Sequence, residues 1–134
     1  MNSNSFSLTK NEQEIMELLW TEERPLSRSQ IIELCKERSW KSSSIHILLN
    51  QLLKKNAIKV DGFVQTGKNY GRTYTAAITP EEYQVMHFKT STSYLQSKSS
   101  AIIKLMSTLV QDEELDNDTL DELETILQDK RSKK

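Results

Sequence analysis

The stretch WKSSSIHILLNQLLKKNAI, residues 40–58, sets the narrowest limit on what this chain can fold into. At 3.6 residues per turn, Ile45, Leu48, Leu49, Leu52 and Leu53 fall on one stripe, which predicts a helix over about 42–55. Ser43, Ser44, His46, Ile47, Asn50, Gln51 and Lys54 project away from that stripe, and all but Ile47 are polar. A helix divided in this way can anchor in a small core and still offer hydrogen-bonding groups outward. What it offers them to depends on the elements around it.

Upstream, residues 1–7 read as a disordered leader. Thr9 with Glu12 and Ser27 with Gln30 then form two capping boxes, each a reciprocal pair that satisfies free backbone N–H groups at a helix start. The first helix buries Ile15, Leu18 and Leu19 and closes near Trp20; Pro25 prevents it from continuing. The second buries Ile31, Ile32, Leu34 and Cys35 in some combination, with Cys35 as a small core residue. Downstream, alternation at Ile58, Val60 and Gly62 and at Tyr70, Arg72 and Tyr74 predicts two strands, with Gly67 and Asn69 suited to the turn. Helix, helix, helix, hairpin is the order of a winged helix-turn-helix.

The second half has its own logic. Thr79-Pro80-Glu81-Glu82 is a helix start with cap, proline and box together, and predicts a helix to about Gln96. After a break at 97–100, residues 101–110 are apolar on nearly every side, and such a helix must be buried all round. Two short neighbours, the last over about 118–130, cannot surround it within one chain. A second copy can. The expected division is therefore a winged-helix domain at 1–78 and a three-helix dimerisation domain at 79–134. Its interface would be Ile102, Ile103, Leu105, Met106 and Leu109 with Leu120, Leu123, Ile126 and Leu127. The fold class is mainly α with a small β-hairpin wing.

Charge separates the halves. Between Arg24 and Tyr74 ten lysines and arginines face three acids; from Ala76 onward seven face eleven. A basic first half suits an acidic partner such as nucleic acid. Nothing suits catalysis: there is no GxGxxG, GxxxxGK, HExxH or GxSxG, and neither His46 nor His87 has companions at a ligand spacing. No cofactor or metal is expected. One cysteine, no signal-like start and no run approaching the ~18 apolar residues of a membrane span fit a cytoplasmic protein without a membrane partner.

In a helix-turn-helix the second paired helix enters the major groove with its N-terminal side chains on base edges. Those are Ser42, Ser43, Ser44, His46 and Ile47, with Asn50, Gln51 and Lys54 beyond; Ile47 suits a thymine methyl, and Asn or Gln suits adenine. Arg28, Lys41, Lys54, Lys55 and Lys59 would meet phosphates, and Lys68 and Arg72 would charge the wing. Two other readings compete. One is a winged-helix protein-interaction module using exposed Ile47; the other is a small-molecule-gated regulator with a pocket of tyrosines 70, 74, 83 and 94.

Five pieces taken in order carry a resemblance: LTKNEQEIMELLW at 8–20, LSRSQII at 26–32, WKSSSIHILLNQLLKKNAI at 40–58, GRTYTAAIT at 71–79 and EELDNDTLDELETIL at 113–127. With them the chain resembles the penicillinase repressor family of bacterial winged-helix repressors. The resemblance implies a homodimer on a palindromic double-stranded DNA operator, controlling genes such as those for antibiotic resistance or copper handling. It also implies derepression by metal binding or by a regulatory protease. The metal-sensing branch has a C-terminal cysteine cluster, and no cysteine follows Cys35 here. The protease-sensitive branch is cut just before the acidic segment, commonly at an Asn-Phe bond; its counterpart here is Thr108-Leu109. Gln13 stands where the family often has Trp, and Ser44, His46 and Ile47 make the reader helix less cationic than usual. A different operator, and heavier reliance on Lys54, Lys55, Lys68 and Arg72, are expected.

Overall fold

The computed structural model describes residues 6–66 and 69–133. Gly67 and Lys68, expected at the turn and on the wing, and most of the expected leader lie outside the described residues. The chain divides between Ser91 and Thr92 into two compact units.

The first unit begins with α1 (Lys10–Glu22), followed by the two-residue strand β1 (Leu26–Ser27) and α2 (Arg28–Leu34). A 3-10 turn at Ser42–Ser44 leads into α3 (Ile45–Lys54). Then come β2 (Ile58–Thr66), β3 (Asn69–Ala76) and α4 (Pro80–Phe88). This is a winged helix-turn-helix. The capping boxes at Thr9–Glu12, Ser27–Gln30 and Thr79–Glu82 all form. Each supplies partners to backbone N–H groups that a helix start leaves without them. The α1 helix outruns Trp20 and stops at Glu22, where Glu23 takes a left-handed conformation and its N–H reaches the Leu19 carbonyl.

The core lies between the three helices and the sheet. Ile15, Met16 and Leu19 of α1 meet Ile31 of α2 and Ile45, Leu48, Leu49 and Leu52 of α3, while Leu26, Ile58 and Tyr74 close it from the strands. Each such burial is worth ~1.5–3 kcal/mol, so α3 is anchored by its apolar stripe whatever its polar face does. Leu18, Ile32, Leu34 and Cys35 are half-buried at the margin. Burial pushes the Cys35 thiol up, keeping it protonated, in keeping with a packing residue.

The sheet is antiparallel in the order β1-β3-β2. The short β1 was invisible to pattern reading, because two residues show no alternation. Between Val60 and Gly62 the register shifts: Val60 pairs with Tyr74 but Gly62 with Thr73, leaving Asp61 as an extra residue. The bulge inverts the expected alternation beyond it. Phe63, not Gly62, continues the face of Ile58 and Val60.

Two features mark the chain just after the expected division at 78/79. Tyr83 of α4 is buried in the first unit, edge-on to Phe6 at 6.2 Å and beside Trp20 at 6.1 Å. Phe6 is thus packed rather than part of a loose leader. The expected helix from 79 to about 96 also breaks after Phe88, where the Thr90 hydroxyl donates to the His87 carbonyl at 2.6 Å. Hydroxyls in the run KTSTS compete for backbone groups that the helix would otherwise use.

The second unit holds α5 (Thr92–Gln96), α6 (Lys98–Asp112) and α7 (Asn117–Ser132). The α6 helix starts three residues before the expected Ala101. Asp116 caps α7, accepting from the Thr119 N–H at 2.7 Å; the Thr119 hydroxyl and this N–H hold its carboxyl below the usual value.

Candidate nucleic-acid interface

The apolar stripe of α3 faces the core, and this fixes which side chains look outward. Lys41, Ser42, Ser43, His46, Ile47, Asn50, Gln51 and Lys54 are exposed and Ser44 is half-exposed. Ile47 keeps 61% of its surface. Among the described residues the side chains of Asn50, Gln51 and Lys54 make no hydrogen bond within the protein, although the Gln51 carbonyl accepts from the Lys55 N–H. These side chains are available to an outside partner.

Four fasteners fix the orientation of this face. The Arg38 guanidinium donates to the Ile32 and Cys35 carbonyls at the end of α2, at 3.0 and 3.2 Å, and to the Ser42 hydroxyl at 2.7 Å. It lies 5.0 Å from the Trp40 ring centroid. One rigid fork therefore ties both ends of the helix-helix turn together. From α1, Glu14 accepts from the Ser39 N–H at 2.9 Å and hydroxyl at 2.7 Å, bonds that hold its carboxyl below the usual value. At the far end, Lys55 donates to fully buried Glu12 at 2.6 Å and to the Ser7 carbonyl at 2.9 Å. A phosphate role expected for Lys55 gives way to this internal ion pair, because the buried carboxylate needs a compensating charge. Arg28 likewise engages His46, with Nη1 2.8 Å from the imidazole Nε2, so it joins α2 to the outward face of α3 rather than standing free.

Sequence reading missed Arg38, Glu14 and Ser39. Their contacts are made across a turn or over 25 residues of separation, and no local pattern marks them. Arg72 is exposed on β3. Gln13 donates to the Tyr83 hydroxyl at 3.0 Å, giving this departure from the resemblance a structural role under α4. Tyr74 and Tyr83 are core residues and Tyr70 is exposed on the wing, so the tyrosines do not line one pocket.

In the second unit no residue of α5, α6 or α7 is buried. Ile102, Ile103, Leu105, Met106, Leu109 and Val110 of α6 retain 38–66% of their surface, and Ile126 and Leu127 of α7 retain 59% and 64%. Between α6 and α7 runs a groove of about 840 Å³ lined by Ile103, Met106, Val110, Leu120, Leu123 and Leu127 among others. Thr108 and Leu109 lie inside α6. Among the described residues no cluster of His, Cys, Asp and Glu could hold a metal ion, and no helix is long and apolar enough to cross a membrane.

The family model described as "Penicillinase repressor" matches residues 8–129. The chain is 24% identical over 131 residues to the methicillin resistance regulatory protein MecI of Mammaliicoccus sciuri, covering 97% of this chain and 100% of that protein. It is 31% identical over 94 residues to an uncharacterized 16.5 kDa protein in the ptsI 3'region of Latilactobacillus sakei. That second match spans 70% of this chain and 60% of the relative's length.

Proposed function

This chain belongs to the penicillinase repressor family, and from that we propose that it represses transcription as a homodimer bound to a palindromic operator. The observation that carries the reading is the outward face of α3. An apolar stripe locks the helix down, four fasteners fix its rotation, and Asn50, Gln51 and Lys54 remain available at its surface. In this reading α3 occupies the major groove, Ser43, His46, Ile47, Asn50 and Gln51 meet base edges, and Lys41, Lys54 and Arg72 meet phosphates. Lys68 would add charge to the wing. The two half-sites would lie one helical turn or a multiple of it apart, as the symmetry of a dimer requires.

The dimer would form through α6 and α7. A second copy would cover the groove and the exposed apolar side chains of α6 and α7. Cutting at Thr108-Leu109 would sever α6 within this interface and release the operator; since the bond is helical, α6 must first unwind locally. Mass spectrometry of the protein from cells exposed to a β-lactam is expected to give a fragment ending at Thr108. Intact protein under all such conditions would remove proteolysis from the mechanism.

The reading as a whole is tested by titrating purified protein into duplex from its own upstream region and into a scrambled duplex at several salt concentrations. Preference for the upstream duplex that persists as salt rises is expected, because phosphate contacts alone are lost with salt. Equal, salt-sensitive binding to both would leave a winged helix without a sequence-reading role at this site.

A further inference from the structure

Two exposed side chains on different helices meet at the surface that the first unit turns outward. Arg28 opens α2 and His46 is the second residue of α3; the Arg28 Nη1 lies 2.8 Å from the imidazole Nε2 and 3.3 Å from Nδ1. A guanidinium carries donors and no acceptor, so a bond this short needs a lone pair on the ring nitrogen. Neutral imidazole supplies one. Imidazolium has two N–H donors and no lone pair, and its charge repels the guanidinium. The contact therefore exists in only one protonation state of His46, and imidazole is the side chain whose charge ordinarily changes between about pH 5 and 8.

Among the described residues no carboxylate forms an ion pair with either partner. On α3 itself, the outward neighbours Ile47, Asn50 and Gln51 are uncharged, and Lys54 lies about two turns along. The 3-10 turn before α3 brings Lys41 and three serines, of which Ser42 is held by Arg38. On α2, Glu33 lies about 140° around the helix from Arg28. The acids of α1 are turned elsewhere: Glu12 to Lys55, and Glu14 and Glu17, with Glu37, to the surface beside Cys35. The β2 strand, which follows the C-terminal end of α3, carries Lys59, and its Asp61 lines a cavity with Trp20 and Glu23. His46 looks outward among cations.

We propose that operator binding is linked to the uptake of a proton by His46, and that acidity thereby tunes repression. With the imidazole neutral, Arg28 is held against α3. A proton from solvent breaks that contact, and both side chains then meet the DNA as separate cations. The negative potential of a duplex favours the charged form, so the complex holds a proton that the free protein at higher pH lacks. The sign follows from linkage: affinity is greatest below the range in which His46 loses its proton and falls as pH rises through it. This inference rests on the DNA-binding reading above and adds a regulation to it.

The test begins with selection of duplexes from a random pool by the wild-type protein, at pH 6 and at pH 8. If no sequence enriches at either value, the DNA-binding reading itself fails, and separately from the proton. With an enriched duplex in hand, wild type, His46→Gln, His87→Gln and Arg28→Ala are titrated at both pH values across a salt series. Glutamine keeps a hydrogen-bonding group at position 46 without titrating; His87, stacked on Tyr83 at 5.9 Å, is the other histidine. All three replaced side chains are exposed, so thermal melting of the variants should match wild type. Wild-type affinity is expected to be ~10-fold higher at pH 6 than at pH 8, with a salt slope steeper by about 2 for each half-site as two cations join the phosphate contacts. His46→Gln is expected to bind with one affinity and one slope at both values, and His87→Gln to keep the whole wild-type dependence. Arg28→Ala should match the wild-type slope at pH 8 and fall short of it by about 1 per half-site at pH 6. Equal wild-type affinity at both values overturns the proposal, as does a His46→Gln protein that keeps the dependence or a His87→Gln protein that loses it. So does an equal loss of slope at both values in Arg28→Ala, since Arg28 would then be free whatever the proton does.

Discussion

Two helices of this chain, α3 and α6, are both rich in Ile and Leu, and they end in opposite situations. On α3, Ile45, Leu48, Leu49 and Leu52 keep 7% or less of their surface; on α6, six large apolar residues keep 38% or more. Residue type does not explain the difference. The first unit supplies two further helices and a sheet to cover α3. The second supplies only the five-residue α5 and the single helix α7. A stripe on one face can be satisfied inside one small unit, whereas a helix apolar on most sides cannot. The first unit is completed by its own chain; the second, in the proposed function, by another copy.

The sharpest way to break this contrast is Met106→Asp. If the α6–α7 face is the dimer interface, the variant places an unpaired charge in it and costs ~3–5 kcal/mol of association. Sedimentation should then show monomer at concentrations where wild type is dimeric, with operator binding lost alongside. A fully dimeric variant would move the interface elsewhere. Next in size is Leu52→Ala, which opens a cavity in the covered core. It should cost ~2–5 kcal/mol of stability by denaturant melting and leave the oligomeric state as it was.

Smaller effects sharpen the picture of the first unit as a reader. Gln51→Ala should cost ~1–3 kcal/mol on the selected operator and little on scrambled duplex, whereas Lys54→Ala should weaken both and lower the salt slope by about 1. Equal losses on both duplexes for Gln51→Ala would remove it from base reading.

The smallest expected effect is a pH dependence. The bonds from Ser39 depress the folded-state value of Glu14, so their stabilisation is present above the ordinary value of 4.5 and fades as pH falls through the lower folded value. Glu14→Ala should therefore flatten the acid limb of the stability curve slightly. An unchanged limb would show that the turn is held by Arg38 alone.

Much of the first unit was legible because its signals are local. Three capping boxes, the α3 stripe and the strand alternation each lie within one element, where spacing determines which face a residue occupies. Which side chains of α3 point outward followed from the same stripe, since residues off a buried stripe must point out. Local pattern reached its limit at the bulge and at α4. The extra residue at Asp61 inverts which face of the hairpin the later β2 side chains occupy, and Tyr83 draws α4 into the first unit although its helix signal suits either.

Sequence by itself determined the order of elements, the buried face of α3 and the excess of apolar surface on α6, because these depend on periodicity along one helix. Tertiary structure decided which cations are available to a ligand. Lys55 lies on Glu12 across 43 positions, Arg28 on His46, and Arg38 on the turn that aims α3. A lysine in the sequence is a charge without an address; only packing brings a buried carboxylate within 2.6 Å and turns it inward.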